Sequence, residues 1–279
     1  MNEAAAIAFL NEIHTTLSRQ TDLSPNNAEV NSCLSRFVVT LKSWQRASFG
    51  GRLADSTAGA PLAERLPRLC AKAECEMEKW WCRKILASEC PGAQALAAFW
   101  YLDEYDALCK SELALIEGQG MRAQSFAFLG GGALPVTALL LAIRRPDATV
   151  TCVDCDGEAC ELGERLVMLL GLGGRVRVVH GRAEDHVAAP GEAVICASLL
   201  RAPALFDRLA GQRVSRLIVR DAEGPYRFCY RPATLPGGAY VQRAKSHLSP
   251  ERINTSRYFE LVPASIALDH SRPGVHVLS

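Results

Sequence analysis

The chain lacks a charge of one sign: 31 Lys and Arg stand against 30 Asp and Glu. No long-range field therefore draws it to nucleic acid or to an anionic membrane, and small molecules are the expected partners. A long apolar run is missing too. The stretch from Gly130 to Ile143 opens with glycines and contains Pro135, which leaves it too short and too broken to span a bilayer. Met1-Asn2-Glu3 is not the basic start of a secretion signal. Eleven cysteines, an odd number, suit free thiols in a reducing cytosol better than a disulfide framework. There is no Gly-x-Ser-x-Gly and no P-loop. Cys152 and Cys155 space as C-x-x-C without a second pair at zinc spacing, so a core thiol is expected. His180 and His186 have no third ligand near them in sequence, and no metal site is expected.

With 279 residues, the chain is long enough for two domains. Apolar residues recur at helical spacing from Asn2 to Arg19 and from Ala28 to Ser43, and helices are expected again over Leu62 to Ser88 and Ala93 to Glu117. Residues 49 to 61, small, polar and glycine-rich, read as a loop. No strand pattern interrupts this half, so residues 1 to 120 are expected to form a helical N-terminal domain ending near Gly120. From 121 to 279 short apolar runs alternate with helical patterns. Strands are expected over Ser125 to Leu129, Thr149 to Asp154, Arg175 to His180, Ala193 to Ala197 and Arg216 to Arg220, with a late pair over Ala239 to Lys245 and Tyr258 to Pro263. Helices are expected over Pro135 to Arg144, Gly157 to Leu170 and Ala202 to Leu209. The pattern predicts an α/β fold: a doubly wound parallel sheet with an antiparallel ending.

The first expected strand feeds "LGGGALP". A strand, glycine turn and helix place backbone N–H groups at one crevice, where a ligand can approach the main chain closely. Gly130, Gly131 and Gly132 do not follow G-x-G-x-x-G, so a ligand without a pyrophosphate fits better. The second strand ends "CVDCD", where Asp154 or Asp156 can accept hydrogen bonds from ribose hydroxyls. The third ends in "VVHGRAEDH", a turn at Arg182-Ala183 able to frame an adenine. Together these landmarks resemble the Rossmann-like S-adenosylmethionine-dependent transferases.

Longer segments narrow the resemblance. "FLGGGALPVTALLLA" followed by "VDCDGEACELGERLV", with "LCAKAECEMEKWW" and "FWYLDEYDALCKSEL" upstream and "VICASLL" and "LIVRDAEG" downstream, resembles nicotianamine synthases in order and spacing. The family's acids fall on Glu74 and Glu78, its tyrosines on Tyr101 and Tyr105, and the tyrosine-bearing segment also aligns Glu112. Its cofactor-side positions fall on the glycine turn with Leu134, Pro135 and Thr137, on Ala197, and on Arg220. Plant members carry proline where Ala133 stands, a second tyrosine at Leu102, a polar pair ending in Asn at Asp103-Glu104, and a His near Glu223. These departures resemble the bacterial branch that makes opine metallophores.

The resemblance implies S-adenosylmethionine as co-substrate without a metal, and transfer of its 3-amino-3-carboxypropyl (aminobutanoyl) arm to an amino acid, histidine favoured. It further implies a cytoplasmic enzyme, a downstream opine dehydrogenase as partner, and a homodimer. Such a reaction needs positioning and a base, because the sulfonium is already activated. Glu74 and Glu78, one helical turn apart, share a face. Lys72, Glu76 and Lys79 beside them also fit a solvated surface. Tyr101 and Tyr105 fit either a proton relay or a core, and Arg220 either a carboxylate clamp or a surface ion pair. Nicotianamine synthase proper, a methyltransferase of the same fold, and a nucleoside-binding regulatory module remain as alternatives.

Overall fold

The computed structural model describes residues 2–90, 92–118, 122–246 and 252–262. The expected boundary at Gly120 and the expected strand end at Pro263 lie outside them. Among the described residues the first 118 contain no strand. They form α1 (Glu3–Ser18), α2 (Ala28–Arg46), α3 (Ala60–Leu86), α4 (Gly92–Ala97) and α5 (Leu102–Glu117). Side-chain caps fix the first two starts: Asn2 accepts from the Ala5 amide, and Asn27 from those of Glu29 and Val30.

The rest is a sheet with β1 (Ser125–Leu129), β2 (Thr149–Asp154), β3 (Val176–His180), β4 (Ala193–Cys196), β5 (Arg216–Ala222), β6 (Tyr240–Lys245) and β7 (Asn254–Leu261), interleaved with α6 (Val136–Arg144), α7 (Gly157–Leu169) and α8 (Leu205–Gly211). The order is β3-β2-β1-β4-β5-β7-β6. The first five strands run parallel, and β7 pairs antiparallel with both β5 and β6. Crossovers reverse direction between β1 and β4, and the crevice outside the strand ends at such a switch point is where ligands bind in open α/β sheets.

The sequence expectations hold for the parallel strands to within two residues and fail at three places. The helix expected over Ala93 to Glu117 is broken at residues 98–101, because Phe99 turns inward against Trp81 (ring centroids 5.6 Å apart) and Tyr105 (6.1 Å); burial of that ring outweighs helix continuation. The loop expected over residues 49 to 61 carries a 3-10 turn at Arg52–Asp55 that buries Leu53 and Ala54, and α3 already begins at Ala60. The last strand begins at Asn254 rather than Tyr258, since buried Thr255 and Ser256 extend its pairing with β5.

One helix belongs to two cores. The first half of α3 buries Leu62, Leu66, Cys70 and Ala73 among α1, α2 and the segment at Tyr226–Cys229. Its last turns bury Trp81, Cys82 and Ile85 against the sheet through Phe126, Phe128 and neighbouring helices. Between Ala73 and Trp81 no side chain of α3 is fully packed away in either core.

The sheet and the helical half are joined by a buried ion pair. Arg220 on β5 donates from Nε to Glu112 Oε1 (2.8 Å) and from Nη2 to Glu112 Oε2 (2.9 Å) and Thr137 Oγ1 (2.8 Å). Ser256 Oγ on β7 donates to Glu112 Oε1 at 2.7 Å, and the guanidinium lies over the Phe128 ring. Glu112, Thr137 and Ser256 are 0% exposed and Arg220 4%, so every charge and hydroxyl must be satisfied within the cluster. Glu112→Gln leaves the guanidinium without its counter-charge and is expected to cost about 3–5 kcal/mol, read as a lower urea midpoint at constant m-value. Thr137→Val, which removes one acceptor, is expected to cost about 1 kcal/mol. An unchanged midpoint for Glu112→Gln would show that the pair does not hold the two halves together.

Candidate active site

The gap in the burial of α3 opens onto two cavities. A crevice of about 440 Å³ lies along the C-terminal ends of the parallel strands, lined by the glycine turn after β1, by Asp154 to Asp156, Gly181 to Glu184 and Ala197 to Arg201. A smaller chamber of about 190 Å³ lies in the helical half, between α2, α3 and α5 and the lead-in to β7. Glu74, Tyr105 and Asn254 line both. Their side chains stand where the cavities meet.

The glycine turn is shaped by close approach. A Cβ at Gly131 would overlap the Cys152 thiol, and one at Gly132, where φ is +64°, would overlap the Glu78 carboxylate. The three glycine amides of the turn are already engaged. Gly130 and Gly131 donate to Val153 O (2.8 and 3.1 Å), Gly132 donates to Asp154 Oδ2 (2.8 Å), and the amides of Ala133 and Leu134 face the Glu78 carboxylate. The turn therefore offers the crevice a surface for close approach rather than free glycine donors, and the Glu78 carboxylate sits against it.

Asp154 Oδ1 accepts from the Asp156 amide (2.9 Å), so each of its oxygens keeps a lone pair for the crevice. Asp156 lines the crevice too, but it caps α7 through the Ala159 amide and pairs with Lys79 Nζ at 2.7 Å; that lysine, chiefly by its hydrogen bond, holds the Asp156 carboxyl below its usual range. Leu134, Ala183 and Ala197 line the crevice with Arg182, which is exposed and pairs with Glu184 at 3.4 Å. Two expected cofactor positions stand off the walls of both cavities. Pro135 packs toward Gly163 of α7, and the Thr137 hydroxyl faces Arg220, so neither lines a cavity. Arg220 reaches the crevice wall, yet its fork is taken by Glu112: it is neither a free carboxylate clamp nor a surface ion pair.

Of the four expected catalytic side chains, Glu74 and Tyr105 meet at the junction, Glu78 lines only the crevice, and Tyr101 only the chamber. Lys72 and Glu76 are exposed on another face of α3, so the helix has both a solvated side and a cavity side. Burial pushes the Glu74 carboxyl above its ordinary value, opposed by a hydrogen bond from Tyr230 and by Arg220. Burial drives Glu78 well above the usual carboxylate range, with the charges of Glu74 and Asp154 adding and the turn amides opposing. Tyr105 is likewise pushed well above its ordinary value by burial and then by the two glutamates.

Three further groups complete the site. The Tyr230 hydroxyl faces Glu74, the free Cys70 and Cys229 thiols neighbour each other in the chamber wall, and Asn254 Oδ1 is buried at the junction with no hydrogen-bond partner. Apart from Cys70, they come from the residues just after the 3-10 turn Gly224–Phe228 and from β7, far from α3 in sequence, and carry no spacing signal that would have singled them out. Cys152 is buried as expected, whereas Cys155 is exposed along the crevice. His180 reaches the Cys155 carbonyl (3.2 Å), and His186 pairs with buried Glu192 (2.7 Å). Among the described residues no group of three or more His, Cys, Asp or Glu is placed to hold a metal ion, and no helix is long and apolar enough to cross a membrane.

Raised folded-state pKa values carry a sign. Below the ordinary carboxylate value near pH 4.5, Glu78 is protonated in both the folded and unfolded chain; as pH rises, the unfolded chain ionises first and stability is lost until the folded pKa is passed. Glu78→Gln is therefore expected to raise the ligand-free protein's stability at neutral pH and to flatten its decline above roughly pH 5, measured by urea unfolding across pH. An equal decline in the variant would place the titrating group elsewhere.

The model of the family described as "Nicotianamine synthase protein" matches residues 1–187. Nicotianamine synthase 9 of Hordeum vulgare is 32% identical over 170 residues, 60% of this chain and 48% of that protein, so the match spans about half of that relative. Nicotianamine synthase 1 of Oryza sativa subsp. indica is 28% identical over 272 residues, 90% of this chain and 80% of that protein. L-histidine 2-aminobutanoyltransferase of Yersinia pestis is 34% identical over 128 residues, 44% of this chain and 46% of that protein. The crystal structure of a glutamate-to-glutamine mutant of MtNAS in complex with S-adenosylmethionine superposes with a TM-score of 0.79 at 19% identity, over 92% of this chain and 98% of that one. MtNAS in complex with MTA and tNA gives 0.78 at 19% identity, over 91% and 97%. At such identity the structures establish a shared fold. With the family model matching 187 of the 279 residues, the chain belongs to the nicotianamine synthase family.

Proposed function

We propose that this protein transfers the aminobutanoyl group of S-adenosylmethionine to the amine of histidine, with release of 5′-methylthioadenosine. The observation that carries this reading is the pair of unequal cavities meeting at Glu74 and Tyr105. The crevice at the strand ends has the size of a nucleoside site, while the chamber, at about 190 Å³, falls below the roughly 300 Å³ at which drug-sized ligand sites begin. An amino acid suits it better than a second S-adenosylmethionine, which favours a single transfer to an amino acid over nicotianamine synthesis proper. The likeness to the histidine 2-aminobutanoyltransferase of Yersinia pestis favours histidine.

On this reading the ribose lies against Asp154, the adenine beside Ala183, and the sulfonium arm passes Gly132 and Glu78 toward the junction. The acceptor amine attacks the γ-carbon of the arm; the C–S bond breaks, its electrons return to sulfur, and methylthioadenosine departs neutral. The proton of the new ammonium passes to Glu74, whose burial raises its proton affinity, while Tyr230 steadies that carboxylate. Tyr105 and Tyr101 line the acceptor's path. The product keeps a free amino-acid end, suited to reductive coupling by an opine dehydrogenase. Metal binding is then a property of the product, not of this protein.

Incubation of the purified protein with S-adenosylmethionine and a panel of amino acids including both histidine enantiomers, read by mass spectrometry, is expected to yield methylthioadenosine and a singly substituted histidine. S-Adenosylhomocysteine as the nucleoside product would overturn the reading in favour of methyl transfer. Glu74→Gln is expected to lower kcat by about 10²- to 10⁴-fold with a small change in KM for S-adenosylmethionine. The wild-type kcat/KM should fall on acidification through a pKa above the ordinary glutamate value, because Glu74 acts deprotonated and its pKa is raised. Residual Glu74→Gln activity should lack that limb.

A further inference from the structure

The chamber ends in a short segment that carries unused polar chemistry. Arg252 lines the chamber, is half-buried, and makes no hydrogen bond or ion pair with another described residue. Two residues on, Asn254 Oδ1 is buried without a partner at the junction. Elsewhere along the cavity walls the arginines are engaged: Arg182 with Glu184, Arg201 with the Ser198, Leu200 and Arg231 carbonyls, Arg220 with Glu112. A buried amide oxygen left unpaired costs free energy unless a ligand donates to it. A guanidinium on an otherwise largely apolar wall, built by Leu34, Val38 and Met77, calls for an anion with two oxygens.

We propose that Arg252 and Asn254 together read the acceptor as an α-amino acid: Arg252 takes its carboxylate, and Asn254 Oδ1 accepts a hydrogen bond from its amine. This rests on the aminobutanoyl-transfer reading and adds to it the chemical class the chamber admits. An α-amino acid carries its amine and carboxylate on one carbon. The two residues that would bind them stand in the same order along one strand lead-in, with Asn254 at the junction beside Glu74 and Arg252 in the chamber. The hydrogen bond to Asn254 takes one N–H of the amine and so turns its lone pair toward the crevice, leaving the proton shed on attack to Glu74. Amines without a carboxylate leave Arg252 desolvated and unpaired, and are rejected for that reason.

The test compares histidine with histamine, its decarboxylated counterpart, by turnover and by calorimetric binding to protein saturated with S-adenosylhomocysteine. The wild type is expected to prefer histidine by about 10- to 100-fold. Arg252→Met should raise KM for histidine far more than it alters kcat and abolish most of that preference, with Arg252→Lys recovering part of it. Asn254→Leu should instead lower kcat for both amines alike, leaving the preference in place. A preference unchanged in Arg252→Met overturns the role of Arg252. Full kcat in Asn254→Leu overturns that of Asn254. If the wild type turns over neither amine, the aminobutanoyl reading falls, and binding still decides: equal affinity for histidine and histamine overturns the carboxylate anchor, and unchanged histidine binding in Asn254→Leu overturns the amine contact.

Discussion

The architecture depends on one buried charge pair. Glu112 and Arg220 are 108 positions apart in sequence, one on a helix of the first half and the other on a central strand, and neither has water to fall back on. Removing two charges from water is costly, and it is recovered only when geometry and remaining lone pairs are fully satisfied. Here the two-pronged contact, the Thr137 hydroxyl and the Ser256 hydroxyl meet that condition. The pair therefore says little about net stability and more about registration: it ties α5 to β5, β7 and the start of α6 at one set of positions.

From that docking the site follows. Tyr105 lies on the same helix as Glu112, two turns before it, so fixing Glu112 fixes the tyrosine at the cavity junction. The other wall is α3, whose buried residues serve one core before Ala73 and another from Trp81 on. Glu74 and Glu78 occupy the interval in which no side chain of the helix is fully buried in either. Cavities at the seam of two cores are natural places for ligands, and this one places carboxylates where burial raises their proton affinity.

The parallel strands and the glycine turn were legible because their signals are local: apolar runs, glycines and acids at strand ends. Glu74 and Tyr105 were legible through the spacing and the resemblance. The partner of Arg220 was not, since a strand-end arginine looks the same whether it awaits a substrate or meets an internal carboxylate, and only the fold brings Glu112 to it. The helix break before Leu102 was hidden because the pull on Phe99 is tertiary. Tyr230 and Asn254 arrive from the antiparallel end of the sheet, where no motif couples them to α3. Pro135 and Thr137 show the converse: residues inside a recognisable motif whose side chains go to packing against α7 and to the buried pair.

The carboxylate seated on the glycine turn has a thermodynamic consequence. Glu78 shares the crevice with Glu74 and Asp154, and burial together with their charges raises the cost of ionising it. A cationic ligand entering that crevice lowers the cost of ionisation, so its binding is linked to proton release, whereas a neutral ligand gains nothing from the same groups. A sulfonium compound and the thioether left after its arm departs differ in just this respect. On the proposed reading, ionised Glu78 favours the cation by electrostatics and regains its proton affinity once only the neutral remnant is left.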